Sequence, residues 1–352
     1  MKKFELLDMS YNEILKTVNV CGLEKYRTDQ IIRWMNRGIF AFNEMTDISK
    51  PMQIKLSDIF QVDAPCITDK AVSSDGTVKY LFRLHDGNII ESVRMKYEHG
   101  DTSCISSQVG CRMGCRFCAS SGLPFIRDLT SGEMFAQVAV MNRDLGIRTG
   151  NVVIMGIGEP LDNYDNVIGF IKRITSNNGL NIGARRISLS TCGLVPEIIK
   201  LSSEGIPLTL SISLHSVDDG VRSMLMPVNR RYSIDKIIEA CKIYTDKTRR
   251  RISFEYALLS NINDSAQDAV KLAGLLKGML CHVNLIPLNA VKGMDFQRSG
   301  HREVEQFKKI LLDNSIQVTV RRELGNDIEA ACGQLRRRFS ETEGRIRSGG
   351  NA

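Results

Sequence analysis

The pattern of apolar and polar positions divides the chain near residue 85. Before that point, apolar residues recur at a helical period in two short segments, at 10–19 and 24–38. Two alternating runs then flank an Asp-Gly pair and predict a hairpin, with strands at 79–84 and 88–95. We therefore expect residues 1–85 to form a small N-terminal helical accessory domain, with a β-hairpin extension at its end.

From Cys104 onward, apolar runs of strand length alternate with segments of helical period. The expected strands are at 104–108, 151–156, 186–190, 207–213, 252–258, 282–287 and 316–320. The expected helices lie between them, at 131–145, 164–177, 195–204, 233–246, 264–279 and 301–314. This alternation gives parallel strand pairing, which places functional loops at the carboxyl ends of the strands. We expect an α/β fold in which residues 86–335 form a partial (β/α)6 barrel, followed by a basic tail at 336–352.

Three cysteines lie close together on a predicted loop directly after the first of these strands. Cys111, Cys115 and Cys118 have the spacing C-x3-C-x2-C, and thiolates this close are usually metal ligands in an intracellular chain. A structural zinc site normally has four ligands, and neither Cys nor His follows before Cys192. A 4Fe–4S cluster takes one thiolate per iron, so three thiolates leave one iron open to a substrate. The spacing favours such a cluster over a zinc loop or a redox-active disulfide.

Composition and charge narrow the class of protein. The 352 residues carry no signal-peptide pattern and no apolar run near the ~18 residues of a membrane span. We expect a soluble, cytoplasmic protein whose ten cysteines are reduced and serve metal binding or catalysis. The net charge of +7 is spread over several basic clusters and favours a polyanionic substrate. Basic and aromatic residues before residue 85, such as Arg33 and Trp34, suit contact with nucleic acid, although a helical cap on the main domain explains them equally.

Polar or glycine residues follow several of the predicted strands. The carboxyl ends of parallel strands share one rim, and a rim with several polar side chains suits a polar cofactor. Each residue alone is more often structural, and His215 in particular suits a buried core histidine. The residues concerned are Gly158, Glu159, Ser190, Ser213, His215 and Asn289, with the apolar Leu214 between Ser213 and His215.

Two further cysteines lie outside the loop motif. Cys104 precedes Cys111 by seven positions, and Cys332 lies in GNDIEAACGQLRRR after the last predicted strand. Either cysteine is also explained as a small buried hydrophobic residue.

The cysteine loop, with Phe117 before its last cysteine, resembles the signature of the radical S-adenosylmethionine (SAM) superfamily. A longer series of segments is similar, in order, to the RlmN-type dual-specificity methyltransferases, which act on adenine C2 in 23S rRNA and tRNA. The series runs from the N-terminal helices to about residue 338 and includes CISSQVGCRMGCRFCAS, MGIGEPLDN, SLSTCG, SLHS, RSMLMPVNRRY, RRISFEYALL, CHVNLIPLN and DIEAACGQLRR. The resemblance implies a radical SAM barrel, a 4Fe–4S cluster on Cys111, Cys115 and Cys118, and SAM contacts from the rim residues, Asn289 included.

The resemblance also implies a mechanism. One SAM methylates Cys332, and a second SAM yields a 5'-deoxyadenosyl radical that removes hydrogen from the new S-methyl group. The resulting carbon radical adds to adenine C2. Glu91 accepts the C2 proton, and Cys104 attacks the Cys332 sulfur to form a disulfide and release the base.

The implied substrates are an adenosine in the peptidyl transferase centre of 23S rRNA and an adenosine next to the anticodon in tRNAs. A monomer and a reductant such as flavodoxin are expected with them. The nearest alternative is the antibiotic-resistance relative that methylates adenine C8, but Pro160 after Gly158 and Glu159 favours the C2 enzyme. A non-catalytic RNA-binding protein with a structural metal explains the charge, but not Cys104 and Cys332.

Overall fold

The computed structural model describes residues 3–98, 100–122, 124–287 and 296–328. The expected site residues Asn289 and Cys332 lie outside the described residues. The helices are α1 (Tyr11–Val20), α2 (Tyr26–Asn36), α3 (Lys50–Ile59), α4 (Ser131–Leu145), α5 (Tyr164–Thr175), α6 (Val195–Leu201), α7 (Asp219–Leu225), α8 (Ile234–Thr248), α9 (Ala266–Leu276) and α10 (His301–Asp313). The strands are β1 (Phe4–Glu5), β2 (Phe60–Gln61), β3 (Cys66–Val72), β4 (Val78–Arg83), β5 (Ile89–Tyr97), β6 (Gly100–Ile105), β7 (Gln108–Val109), β8 (Arg127–Asp128), β9 (Asn151–Ile154), β10 (Ile187–Thr191), β11 (Thr209–Ser213), β12 (Ile252–Leu258), β13 (Cys281–Pro287) and β14 (Val318–Val320).

One ten-stranded sheet organises the fold, in the order β14-β13-β12-β11-β10-β9-β6-β5-β4-β3. The strands from β6 through β9 to β14 pair in parallel, and each connection between consecutive parallel strands carries a helix. The remaining strands, β3 to β5, extend the sheet by antiparallel pairing onto β6. The predicted α/β partial barrel with a hairpin extension is confirmed.

Local sequence signals set several helix starts. Ser10 caps α1 and Thr130 caps α4, and in each case a glutamate three residues later closes a capping box. The predicted helix at 131–145 has these bounds in the structure. In α5 the buried residues recur at the helical period and face the sheet; they are Tyr164, Val167, Ile168, Phe170, Ile171 and Ile174.

The sequence analysis missed several elements, among them β3, α7 and α3. Strand β3 is almost fully exposed along its length, so it lacks the apolar alternation that marks a strand. Helix α7 has only seven residues, and α3 has a single buried residue, Leu56, so neither has a strong apolar period.

The N-terminal helices pack onto the barrel through a close contact near Leu7. Gly132 in α4 lies against the Leu7 carbonyl, where an added Cβ would come within 2.4 Å of its oxygen. The Arg173 guanidinium stacks over the Phe135 ring at 3.9 Å and donates a hydrogen bond to the same carbonyl. The boundary expected at residue 85 falls between β4 and β5, which pair antiparallel, so the sheet continues across it. Within the described ranges, helices fall short of the length and apolarity needed to cross a membrane.

Candidate active site

The cysteine loop is closed at its base by a short ladder. Strands β7 and β8 pair through Gln108 with Asp128 and Val109 with Arg127, so the loop between them leaves and re-enters the fold at one place. Gly110 begins the loop at φ +79°, with its α-carbon so close to Pro124 that an added Cβ would overlap the Pro124 carbonyl. Farther along the loop, the Arg116 N–H donates to the Leu225 carbonyl of α7 over 2.9 Å, which fixes the loop against that helix.

Cys111, Cys115 and Cys118 are all half-buried in this loop. Burial raises the pKa of the Cys111 thiol to about 11 and that of Cys115 well above its usual range, and the charges of neighbouring thiols add to both shifts. In the described part of the chain, no three thiol, imidazole or carboxylate groups form a cage for a single metal ion. A 4Fe–4S cluster takes one thiolate per iron and needs no such cage. Three thiols on one loop, whose proximity contributes to the raised pKa of Cys111 and Cys115, therefore fit the cluster by donor type and number.

The glycines after β9 allow two backbone segments to touch. The Gly156 N–H donates to the Ile105 carbonyl over 2.9 Å, and a Cβ on Gly156 would lie 2.5 Å from that oxygen. Gly158 has φ +112° and lies so close to Gln108 that a Cβ would come within 2.7 Å of the Gln108 Cβ. The end of β9 is thus held directly against the segment that enters the cysteine loop.

Glu159 is buried, and its carboxylate bridges two chain segments. Its Oε2 accepts the Cys192 N–H over 2.7 Å, and its Oε1 accepts the Leu161 N–H over 3.0 Å. Burial raises the pKa of this carboxyl group, and these hydrogen bonds oppose the shift. The acid therefore ties the end of β9 to the end of β10, whatever ligand it contacts in addition.

The ends of β10 and β11 bring the other rim residues together. The hydroxyl groups of Ser190 and Ser213 lie 3.5 Å apart, although the residues are 23 positions apart in the chain. The backbone N–H groups of Leu214 and His215 both donate to the Glu255 carbonyl of β12, over 3.1 and 3.4 Å. The chain therefore turns away from the sheet at a fixed place, with Leu214 fully buried.

His215 is held in one orientation and one charge state. Its backbone has φ +56°, a left-handed conformation that few residues other than glycine adopt. Its Nδ1 accepts the Ala257 N–H over 2.9 Å, and the Phe117 ring meets the imidazole edge-on with centroids 4.7 Å apart. Burial lowers the pKa of His215 to about 3, so the imidazole stays neutral at physiological pH.

Sequence reasoning missed Arg222, which is fully buried under the same rim. Its guanidinium donates to the carbonyls of Leu214 (2.9 Å), Cys192 (2.8 Å) and Ser213 (3.0 Å), and to Asn229 Oδ1 (2.8 Å). Arginine supplies five donors in a fixed fork, so one side chain can hold the ends of two strands together. The available signal was the segment RSMLMPVNRRY, in which this arginine and the asparagine seven residues later form the pair.

A cavity of about 290 Å³ lies beside the cysteine loop. Its walls bring together residues that are far apart in the sequence, from the β4–β5 hairpin, from β6, from the cysteine loop and from the segment after β14. The residues that matter for chemistry are Glu91, Cys104, Cys118, His215, Arg321 and Arg322. Gly158, Glu159, Ser190, Ser213 and Leu214 lie at the neighbouring strand ends rather than among the described lining residues.

Cys104 and Glu91 reach this cavity from adjacent strands. Cys104 in β6 pairs with Val93 in β5, and Glu91 lies two residues before Val93. Glu91 Oε2 forms a 3.3 Å ion pair with Lys79 Nζ of β4, and both side chains are buried. Burial raises the pKa of the Cys104 thiol to about 11, and Arg321 partly offsets the shift. The cavity is therefore lined by a carboxyl group that is paired with Lys79 behind it, and by a thiol that is protonated at neutral pH.

Comparison with known proteins places this site in a family. Residues 105–273 match the model of the radical SAM superfamily, and residues 4–62 match that of the ribosomal RNA large subunit methyltransferase N-terminal domain. A probable dual-specificity RNA methyltransferase RlmN from Clostridium tetani is 50% identical over 335 residues, 95% of this chain and 96% of that protein. Its counterpart from Alkaliphilus metalliredigens is 48% identical over 97% of this chain and 98% of that protein.

A solved structure agrees with these relatives. The crystal structure of a radical SAM methyltransferase from Sphaerobacter thermophilus is similar with a TM-score of 0.90 and 41% identity, covering 94% of this chain and 98% of that one. The sequence and structural matches both extend over nearly the full chain, and they agree with the donor set of the cysteine loop. The chain therefore belongs to the RlmN family of dual-specificity RNA methyltransferases, radical SAM enzymes that use a 4Fe–4S cluster and SAM.

Proposed function

We propose that the enzyme methylates C2 of an adenosine in the peptidyl transferase centre of 23S rRNA and of an adenosine next to the anticodon in tRNAs. The reaction uses two SAM molecules per turnover and proceeds through an S-methylated Cys332. The observation that carries the proposal is the cavity, because Glu91 and Cys104 line it together with Cys118 of the cysteine loop. The residues proposed as base, resolving thiol and cluster ligand thus line the same cavity.

Residues beside this cavity are proposed to bind the cluster and SAM. Cys111, Cys115 and Cys118 would hold the cluster, and the rim residues Gly158, Glu159, Ser190, Ser213, Leu214, His215 and Asn289 would contact SAM. When bound, the cluster and SAM supply an electrophilic methyl group in one half-reaction and remove a hydrogen atom from a methyl group in the other. The neutral His215 and the hydroxyls of Ser190 and Ser213 offer uncharged polar contacts there.

The protein side chains then handle the methyl group and the protons. The Cys332 thiol loses its proton to solvent, and the resulting thiolate accepts a methyl group by displacement. After hydrogen removal and addition of the resulting carbon to C2, Glu91 takes the C2 proton, and Lys79 stabilises the charged form of Glu91 before that transfer. The unpaired electron left on the adduct would return to the bound cluster, so the adduct becomes closed-shell. The adduct's C–S bond breaks when the Cys104 thiolate attacks the Cys332 sulfur. The carbon gains a proton to become the product methyl group, and an external thiol reduces the disulfide.

The surroundings of the cavity suit RNA. Arg321 and Arg322 are exposed residues that also line it, so their guanidinium groups can bind the phosphates that flank an extruded adenosine. Residues 1–85 are proposed as a further RNA contact. A flavodoxin-type reductant and a monomeric enzyme complete the proposal.

Mass spectrometry of nucleosides tests this function. Unmodified 23S rRNA and tRNA are incubated anaerobically with the cluster-loaded enzyme, SAM and a reductant, and the same reaction without reductant is the control. We expect 2-methyladenosine in both RNAs. The appearance of 8-methyladenosine instead would show that the enzyme methylates C8 and would contradict the proposal. SAM cleavage without either product would contradict the proposed substrates.

A further inference from the structure

The turn between β3 and β4, in the segment SSDGTVK, is tied to the chain just before Cys332. Asp75 Oδ2 accepts the Gly325 N–H over 2.8 Å. In the opposite direction, the Ser73 hydroxyl donates to Asp327 Oδ1 over 2.5 Å and the Ser74 N–H donates to Asp327 Oδ2 over 2.9 Å. Each segment thus contributes a carboxylate to the other, although about 250 residues separate them in sequence.

The turn itself is rigid enough to act as an anchor. The Ser73 N–H donates to the Thr77 carbonyl over 2.8 Å, and the Thr77 N–H donates to Asp75 Oδ1 over 2.8 Å. Arg94 of β5 donates to the Gly76 carbonyl over 2.8 Å, which ties the turn to the next strand of the sheet. One carboxylate oxygen of Asp75 therefore accepts a hydrogen bond within its own turn, and the other accepts the hydrogen bond from Gly325.

The tied segment forms part of the cavity wall. Residues 321–324 all line the cavity, and they lie between two attachments. At the first attachment, the Arg321 N–H donates to the Leu285 carbonyl of β13 over 2.8 Å. At the second, Gly325 and Asp327 form hydrogen bonds with Asp75 and Ser73 of the turn. In the sequence, Cys332 follows Asp327 by five residues.

We propose that Ser73, Asp75 and Asp327 form a positioning latch, which fixes the cavity wall at 321–324 and the start of the segment that carries Cys332. The latch rests on the proposed function, because it matters for the transfer of a methyl group to Cys332 and from it to RNA. The residues act through Cys332 rather than on the substrate. Two of the three bonds between the segments are half-buried and one is exposed, and both carboxylates belong to exposed residues, so the bonds stabilise the segment locally rather than the whole fold.

The latch is tested in the holoenzyme without RNA. Isotope-labelled SAM is added, and methylation of Cys332 is followed by mass spectrometry of its peptide. The variant with both Asp75→Asn and Asp327→Asn should methylate Cys332 about tenfold more slowly than the parent. Asp69→Asn is the matched control, since Asp69 is exposed on β3 and its carboxylate accepts only the adjacent Lys70 N–H among the hydrogen bonds of the described residues.

Two further readouts separate positioning from general loss of structure. Asp327→Glu keeps the carboxylate at an exposed position, so this variant should methylate Cys332 at most of the parent's rate. The absorbance of the cluster and the affinity for SAM should match those of the parent in every variant. Hydrogen–deuterium exchange over 320–328 should be faster in the double variant. Equal methylation rates in the parent and the double variant would overturn the latch.

The failure of the proposed function gives a different result. If the parent enzyme never methylates Cys332, the proposed mechanism is wrong, and hydrogen–deuterium exchange alone decides whether the latch exists. Faster exchange over 320–328 in the double variant then supports the latch, and unchanged exchange rejects it.

Discussion

Lys79 and Glu91 form an ion pair that is closed off from bulk solvent, with 3.3 Å between Nζ and Oε2 and almost no exposure of either side chain. The two residues are on neighbouring strands, β4 and β5, where Lys79 pairs with Val93 and Leu81 pairs with Glu91. A carboxylate at this depth needs a cation, because burial of an isolated charge is costly. The pair therefore places a carboxyl group with a basic partner beside the cavity that Cys104 also lines.

Replacement of Lys79 by methionine should be strongly destabilising. The change leaves Glu91 buried without its cation, and we expect a loss of about 3–5 kcal/mol in the free energy of unfolding. Denaturant unfolding followed by circular dichroism measures it. The control is Lys70→Met, which removes a partly exposed pair with Asp144 and should cost less than about 1 kcal/mol. If Glu91→Gln in addition to Lys79→Met recovers no stability, the coupling between the two residues is wrong.

Replacement of Cys104 by alanine should trap the enzyme on its RNA. Without the thiol that attacks the Cys332 sulfur, the proposed adduct cannot be released, so a covalent complex accumulates during the first turnover. Denaturing gel electrophoresis with labelled tRNA detects it. The control is Cys66→Ala, because Cys66 is exposed on β3 and should leave turnover unchanged. A Cys104→Ala enzyme that turns over and carries no RNA would contradict the resolving role.

The reactivity of Cys104 should rise steeply with pH. Burial raises the pKa of its thiol to about 11, so at pH 8 only about one molecule in a thousand carries the thiolate. Alkylation of Cys104 by iodoacetamide, measured by mass spectrometry, should accelerate about tenfold per pH unit between pH 7 and 10. Arg321→Gln removes a positive charge that lowers this pKa, so it should slow alkylation at every pH in that range. A plateau below pH 9 would show that the thiolate is stabilised more than its burial implies.

Much of this fold could be predicted from the sequence because its elements carry their own signals. The strand at 252–258 and the helix at 131–145 were predicted with their observed bounds. The strand has an apolar residue at every second position, and the helix has a capping box and a helical period. The exposed strand β3 carries no such signal. Its place at the sheet edge depends on pairing with β4, which is a tertiary contact.

The sequence predicted the site only where the functional residues lie close together in the chain at a characteristic spacing. Cys111, Cys115 and Cys118 lie on one short loop, so their relation can be read directly. Arg222 was missed because its partners, the carbonyls of Cys192 and Ser213, belong to strand ends that only the folded sheet brings together. The latch between Asp75 and Gly325 was missed for the same reason.

Arg222 offers the sharpest test of the rim. Methionine has a comparable length but no donors, so Arg222→Met leaves the carbonyls of Cys192, Ser213 and Leu214 without their shared guanidinium. We expect a loss of about 3 kcal/mol in the free energy of unfolding, because buried acceptors that lose a donor each cost about 1–3 kcal/mol.

The same variant should bind SAM about tenfold more weakly, because the ends of β10 and β11 lose the group that sets their spacing. Isothermal titration of the cluster-loaded protein measures this affinity, and the absorbance of the cluster shows whether the cysteine loop is still loaded. Arg230→Met is the matched control, since Arg230 is exposed in the turn after α7 and should change neither quantity. If Arg222→Met lowers stability but leaves SAM affinity at the parent value, Arg222 supports only the fold, and the rim keeps its shape by other contacts.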